Sequence, residues 1–487
     1  MPLLSLPFDI LIKLLSDVNG ESLLRCREVC TTFSTLIRND VRLQYKLKLH
    51  RSGMVDNSSG QYAGIAISQR LDLLNQLISR RQRWSLAWPE GLIPGTQSMA
   101  DIEDWSWEYT SKVLACLTMH SDVGLFDLLD SESTIPYHHR IMHPGPQIGM
   151  TQGLYLDPGQ DLLIVMDTID NQGGTRLRLH VLSLQDGSRH PGATSPLIEM
   201  NNFFGTASGF FESRIYGHLF AVGILQDTAA EQQIAIIDWT TGELMGVIKG
   251  YAYMFLDSQH ILLGCLNHKL ARVELRIHVV GGSQPIVVLP FPIFTPYFLS
   301  FGRDLREPTN AQNQYPFTAD PELRIVTFSL RGPPPDPCQI ICTFPALSIK
   351  AILRSQKHHT SEVPIEIPWG SWPQCTFLWP TKLPHMCVSG SRIAIFNTDE
   401  ATQTVSIYRF HPQWFREPMT LRNLRDDNQD SRLDGYLAHV PSDASSIMTL
   451  PLPKPEQVVT TGSVKQVWMD EDLLLMVLPE GIQFIRA

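Results

Sequence analysis

From about residue 92 onward, the apolar residues of this 487-residue chain come in short runs of four to seven, separated by Gly, Asp, Asn and Pro. Runs of that length and spacing read as strands and turns. No long amphipathic helical pattern survives among them. The 32 Gly and 34 Pro are spread along the chain, which again calls for many turns between short elements. At 43% hydrophobic residues the chain is too apolar for disorder, and its length calls for at least two folded units.

Some of the runs repeat. Leu154-Tyr155-Leu156-Asp157 is followed by Leu162-Leu163-Ile164-Val165, Met254-Phe255-Leu256-Asp257 by Ile261-Leu262-Leu263, and Val467-Trp468-Met469-Asp470 by Leu473-Leu474-Leu475-Met476. Each is strand, polar turn, strand. Looser versions lie at residues 217–224, 320–330 and 388–396, and a degenerate one at 113–129. Successive units roughly 40 to 80 residues apart fit propeller blades with insertions in some loops. The expected fold of residues 92–487 is therefore an all-β domain, a β-propeller of six or seven blades, with a pair of β-sandwiches as the rival architecture. Residues 236–245 resemble the hairpin between the outer strands of a blade, and the run at 481–487 ends as a strand that suits ring closure.

The first 90 residues differ. They carry 12 Lys+Arg against 8 Asp+Glu, whereas the whole chain has a formal charge of −10, so the remainder stands at −14. An acidic chain is a poor general nucleic-acid binder, since polyphosphate recognition rests on an excess of Lys and Arg. In the first segment apolar residues at 10, 11, 14, 15 and 18 form one wide helical face, with Pro7 suited to a first turn. Asn19-Gly20 ends that helix, Leu23, Leu24, Cys26, Val29 and Cys30 mark a second, and Thr31 or Thr32 can cap a third through Phe33, Leu36 and Ile37. Three short helices in about 40 residues are too few to bury a self-sufficient core. They require a partner surface, in the same chain or another.

These same residues, Leu6-Pro7-x-Asp9-Ile10-Leu11 and then Leu23-Leu24-x-Cys26-Arg27-x-Val29-Cys30-x-x-Phe33-x-x-Leu36, resemble the F-box motif over residues 3–48. The resemblance implies a docking module that binds the Skp adaptor of a cullin-RING ubiquitin ligase and performs no chemistry. It nominates Leu6, Pro7, Asp9, Ile10, Leu11, Leu14, Leu23, Leu24, Val29, Phe33 and Leu36 for adaptor binding. Within that set Leu6, Pro7 and Leu11 are expected at the contact edge; outside it, Leu15, Val18, Cys26 and Cys30 are expected in the internal core. The organisation expected is an F-box at 1–48, a helical linker at 49–91 and the β-domain at 92–487. In the linker Ser68 can cap a helix through Leu71, Leu74, Leu77 and Ile78, and Arg80, Arg81 and Arg83 stand at its negative end on a solvated face. A helical linker would fix the distance between adaptor and substrate reader.

The eight cysteines lack the paired spacing of a disulfide framework, so reduced thiols in a cytoplasmic or nuclear protein are expected. The N-terminus has no positive residue before its apolar stretch and Asp9 interrupts it, which speaks against a signal peptide. The uncharged stretches within 277–302 are broken by four prolines and suit short strands better than a membrane helix. Asn57-Ser58-Ser59 is a formal sequon without a secretory context.

No Gly-x-Ser-x-Gly elbow, His-Glu-x-x-His, Walker loop or paired CxxC is present. Gly149 to Gly153 mimics the elbow with Thr151 in place of Ser and reads as a turn before Leu154. His138, His139 and His143 fall among prolines, which favours a loop over a metal site, and Cys338 and Cys342, on either side of Gln339-Ile340-Ile341 in an expected strand, read as buried thiols. No cofactor, metal or catalytic residue is expected. The chain thus reads as the substrate-recognition subunit of an SCF-type ligase, with an F-box scaffold or a capped propeller enzyme as alternatives. Arg303 and Arg306 are candidates for reading an acidic or phosphorylated segment by paired hydrogen bonds.

Overall fold

The computed structural model describes residues 3–57, 62 and 64–82 and, from residue 91, the strands named below with many of their turns. Its first part is helical: α1 (Phe8–Asp17), α2 (Gly20–Val29), α3 (Thr31–Asn39) and α4 (Val41–Ser52), then strand β1 (Met54–Asp56) and α5 (Ile67–Gln82). Local chemistry sets most of these boundaries. Asn19 opens α2 by accepting from the Ser22 N–H at 2.8 Å, and Asp40 opens α4 by accepting from the Arg42 and Leu43 N–H groups. Gly53 ends α4 in the left-handed region at φ 66°, where a side chain would be strained. Two expected caps are corrected: Cys30 in extended conformation precedes α3, so Thr31 and Thr32 lie within its first turn, and Ser68 lies inside α5. The expected boundary at residue 48 falls within α4, and the stretch expected as a helical linker contains β1.

Leu11, Leu15, Leu23, Phe33, Ile37, Leu43 and Leu47 form the core of the first four helices. A second cluster joins α4 and α5 through Tyr45, Leu49, Leu74 and Leu77 to Met54 and Phe317. The last residue lies far along the chain.

The remainder is a succession of antiparallel sheets. Strand β2 (Gly91–Pro94) comes first in the chain and is followed by the first sheet, β3 (Trp107–Thr110), β4 (Val113–Leu117), β5 (Val123–Leu128) and β6 (Tyr137–Met142). The second is β7 (Met150–Asp157), β8 (Leu162–Asn171), β9 (Gly174–Ser183) and β10 (Leu197–Met200), and the third β11 (Ala207–Tyr216), β12 (Leu219–Gln226), β13 (Gln233–Asp238) and β14 (Glu243–Lys249). The fourth is β15 (Ala252–Phe255), β16 (His260–Asn267), β17 (Arg272–Val279) and β18 (Pro285–Pro290). The fifth starts with β19 (Phe298–Phe301); after β20 (Arg303–Asp304) and β21 (Phe317–Ala319) it continues through β22 (Ile325–Arg331) and β23 (Gln339–Pro345). After β24 (Ile365–Glu366), which pairs parallel with β18 at the edge of the fourth sheet, it ends with β25 (Phe377–Thr381). The sixth is β26 (Pro384–Ser389), β27 (Arg392–Asn397), β28 (Gln403–Arg409) and β29 (Glu456–Thr460); the seventh is β30 (Gln466–Met469), β31 (Leu473–Leu478) and β32 (Gly481–Arg486). Strand β2 completes this last sheet by pairing antiparallel with β32.

The ring closes through strands from the two ends of the β-domain, and successive sheets touch through their first strands: β3 against β7, β7 against β11, β11 against β15, β15 against β19, and β26 against β30. Strand β20, next after β19 in the chain, joins the sixth sheet by pairing parallel with β26. This is the topology of a β-propeller. Each of the seven repeat units read from the sequence falls in a different sheet, and residues 236–245 form the outer hairpin of the third, where Asp238 accepts from Thr240 and Thr241 and Gly242 supplies φ 78°.

The continuous apolar runs follow from this stacking, because a sheet covered on both faces cannot alternate apolar with polar. In β8, Leu162, Ile164 and Met166 pack toward β12 and β13, while Leu163 and Val165 pack toward β4 and β5. In β12 the same division sends Phe220 and Val222 back to the second sheet and Leu219 and Ala221 forward to the fourth. Fully burying one such side chain contributes roughly 1.5–3 kcal/mol.

Candidate docking surface

Helix α1 carries a wider apolar face than its own core needs. At 100° per residue, Leu11 and Leu15 share one stripe and Ile10 and Leu14 the next. The first stripe is interior, with Leu11 only 1% exposed, whereas Ile10 and Leu14 stand at 45% and 46%. Leu4 and Phe8 at the leading edge and Val29 at the end of α2 are also exposed. Large apolar side chains left in water on a small helical unit mark a binding surface.

The nominated residues therefore separate. Pro7, Asp9, Ile10, Leu14 and Val29 are exposed; Leu6, Leu24 and Leu36 are half-buried against the core; Leu11, Leu23 and Phe33 are buried within it. The edge role expected of Leu11 is corrected: it sits one turn from Leu15, facing α3 and α4. Leu23 and Phe33 likewise hold the surface up from beneath. Leu15 is buried, and Cys26, Cys30 and Val18 are half-buried. Sequence reading did not nominate Leu4 or Phe8; their signal was position, since residues at a first turn protrude beyond the helices that follow.

The β-domain places its other candidates less favourably for chemistry. Arg303 lies in β20, and its side chain and Arg306 are outside the described residues. His138 and His139 are corrected from loop to strand, in β6, with His143 outside the described residues. Residues 150–153 belong to β7 itself, bulged between Thr151 and Gly153, rather than to a turn before it. Cys342 lies in β23 as expected, its side chain and Cys338 outside the described residues. Among the described residues no group of three or more His, Cys, Asp or Glu could hold a metal ion, and no helix is long and apolar enough to cross a membrane.

Several of the buried polar groups are paired for structure. Asp167, wholly buried, accepts from Arg178 Nε at 3.0 Å and lies 3.3 Å from His180 Nε2. Burial pushes the Glu274 carboxyl up, but donation from Asn267, Arg276 and Arg272 outweighs it and holds the group below the usual carboxylate range. Burial pushes the thiols of Cys116 and Cys387 up to about 12, which keeps them protonated and unreactive at neutral pH. His190 packs edge-on against Trp239 at 5.0 Å, and the indole donates to the Gly217 carbonyl at 2.8 Å, tying the second sheet to the third.

Residues 3–45 match the F-box domain. No curated protein matches the sequence at a significant level. Among solved structures, the chain resembles the β-propeller domain of Myceliophteria thermophila Cps50 (Swd1), at 13% identity and a TM-score of 0.40, covering 78% of this chain and 96% of that one. Kluyveromyces lactis Hsv2 is similar at 9% identity and a TM-score of 0.42, over 77% of this chain and 89% of its own. Hydrazine synthase of Kuenenia stuttgartiensis is similar at 11% identity and a TM-score of 0.42, over 82% and 99%. The likeness is one of fold, and the propeller itself rests on the order and closure of the strands.

Proposed function

We propose that this chain is a substrate-recognition subunit of an SCF-type cullin-RING ubiquitin ligase: its F-box docks a Skp adaptor and its propeller holds a protein for ubiquitination. The observation that carries this reading is the exposed apolar stripe of Ile10 and Leu14, with Phe8 also exposed at the start of α1, on an F-box whose core is otherwise packed. The division of labour is F-box at 1–48, linker at 49–91 and propeller at 92–487, with each of the seven sheets read as one blade. The chain is then a non-catalytic subunit working in the cytoplasm or nucleus. Arg303 and Arg306 are its candidates for contact with an acidic segment.

Capture of the full chain by purified Skp adaptor tests the reading. Ile10→Asp with Leu14→Asp places two charges in the proposed apolar contact, and a loss of affinity of at least about 30-fold, near 2 kcal/mol, is expected. Both residues are exposed, so the helical content by circular dichroism stays unchanged. Undiminished capture would show that the surface lies elsewhere.

A further inference from the structure

Strand β1 lies where the sequence reads as a helical connector, and its partner is β21, in the connection between the first two strands of the fifth sheet. Met54 faces Ala319, Val55 faces Thr318 and Asp56 faces Phe317. The pairing continues at both ends, where the Asn57 N–H donates to the Pro316 carbonyl and the Asp320 N–H to the Gly53 carbonyl, each at 2.8 Å. Hydrogen-bonded pairs alternate along an antiparallel ladder, so Val55 and Thr318 form the bonded pair between these two.

Two three-residue strands do not hold together alone. What supports them is the side facing the helices. Met54 and Phe317 are buried there with Tyr45, Leu49, Leu74 and Leu77. Asp56 points to the same side. It accepts from the Tyr45 hydroxyl at 2.8 Å, and both its oxygens accept from Arg70 Nη1 at 3.1 Å. Arg70 is 5% exposed and places its remaining donors on the Ile65 carbonyl at 3.0 Å and the Tyr62 carbonyl at 2.8 Å. Burial, and next the Asp56 carboxylate, raise the Tyr45 phenol, which keeps it a donor. The Asp56 backbone thus belongs to the ladder, while its carboxylate joins α4 to α5.

We infer that Asp56 is a positioning residue that locks the docking helices onto β21, in the connection between the first two strands of the fifth sheet, so that strand pairing ties the helical module to the propeller. The spacing between the two is then set by strand pairing and not by the chain that follows α5. This inference deepens the receptor reading, in which a fixed spacing presents the bound protein to the ligase.

Amide hydrogen exchange of the full chain tests it, through peptides covering residues 53–57 and 316–320, with α3 and β8 as references. Asp56→Asn leaves buried Arg70 without a counter-ion and is expected to raise exchange in both segments about tenfold or more, with the references unchanged. Thr318→Pro removes a ladder donor from the propeller side without touching Tyr45 or Arg70, and is expected to do the same. Val55→Cys with Thr318→Cys, at a spacing a disulfide can span, restores protection to the Asp56→Asn chain when oxidised. If exchange in 316–320 stays within about twofold of the parent in the Thr318→Pro chain, or in an Asp56→Asn chain whose helices remain folded, the lock is refuted. Adaptor capture is expected to survive both single variants. Its failure in the parent chain would overturn the receptor reading and leave the lock standing.

Discussion

Helix α1 and strand β8 are built from the same kinds of residue, yet one leaves Ile10 and Leu14 in water while the other buries every residue from Leu162 to Met166. The difference lies in the number of neighbours. A sheet within the propeller has another sheet on each face, so both sets of alternating side chains find cover. A helix on a small bundle has cover on one side only, and a second apolar stripe remains open. The helical module therefore leaves an apolar stripe open, whereas the described sheets of the propeller have their apolar faces committed to one another.

The sharpest break of this comparison would come inside the stack. Phe220 is fully buried between the second and third sheets, 5.3 Å from the Tyr155 ring, and Phe220→Ala is expected to cost ~3–5 kcal/mol in chemical denaturation. A cost below about 1 kcal/mol would contradict packing on both faces. Next comes the pair of stripes on α1. Leu11→Ala should destabilise the helical module by ~2–5 kcal/mol, while Leu14→Ala should change stability by no more than about 0.5 kcal/mol. Equal costs would mean that α1 does not divide into an inner and an outer stripe.

A pH experiment probes the β-domain further. Burial, with Arg276 nearby, pushes His278 down to about 4. Unfolded histidine titrates near 6.5, so as pH falls below that value the unfolded chain takes up a proton that the folded chain refuses. Stability from this group is fully present above about pH 6.5 and declines toward pH 4, by up to ~3 kcal/mol. Carboxylates also titrate in this window, so urea denaturation of the parent is to be compared with His278→Leu, whose pH slope should be shallower. Matching slopes would show that His278 accepts its proton freely. The smallest effect belongs to an exposed pair on α2, Arg25 with Glu21 at 2.6 Å. Arg25→Ala should cost about 0.2–0.5 kcal/mol, reduced further by salt.

Much of this organisation was legible along the chain. The hairpin units were visible because apolar run, polar turn and apolar run lie within about 20 residues of one another, and the turn chemistry at Asp238 and Gly242 is local. The F-box core was visible for the same reason. The short strands β1, β20, β21 and β24 were not, since two or three residues carry no periodicity and become strands only when a distant partner supplies hydrogen bonds. His138 and His139 read as loop because Pro136 precedes them, but a proline just before a strand removes no ladder bond from within it. Leu11 and Ile10 are adjacent apolar residues, and nothing along the chain states which one meets the core.

By itself, then, the sequence determined that a basic helical segment precedes an acidic β-rich one, which residues share a face, and where the repeated hairpins lie. Tertiary structure alone decided which face is covered, how β2 and β32 close the ring, and that Asp56 joins α4 to α5 from a strand paired with distant β21. Periodicity is a property of neighbours along the backbone, whereas cover, closure and pairing depend on groups brought together across hundreds of residues.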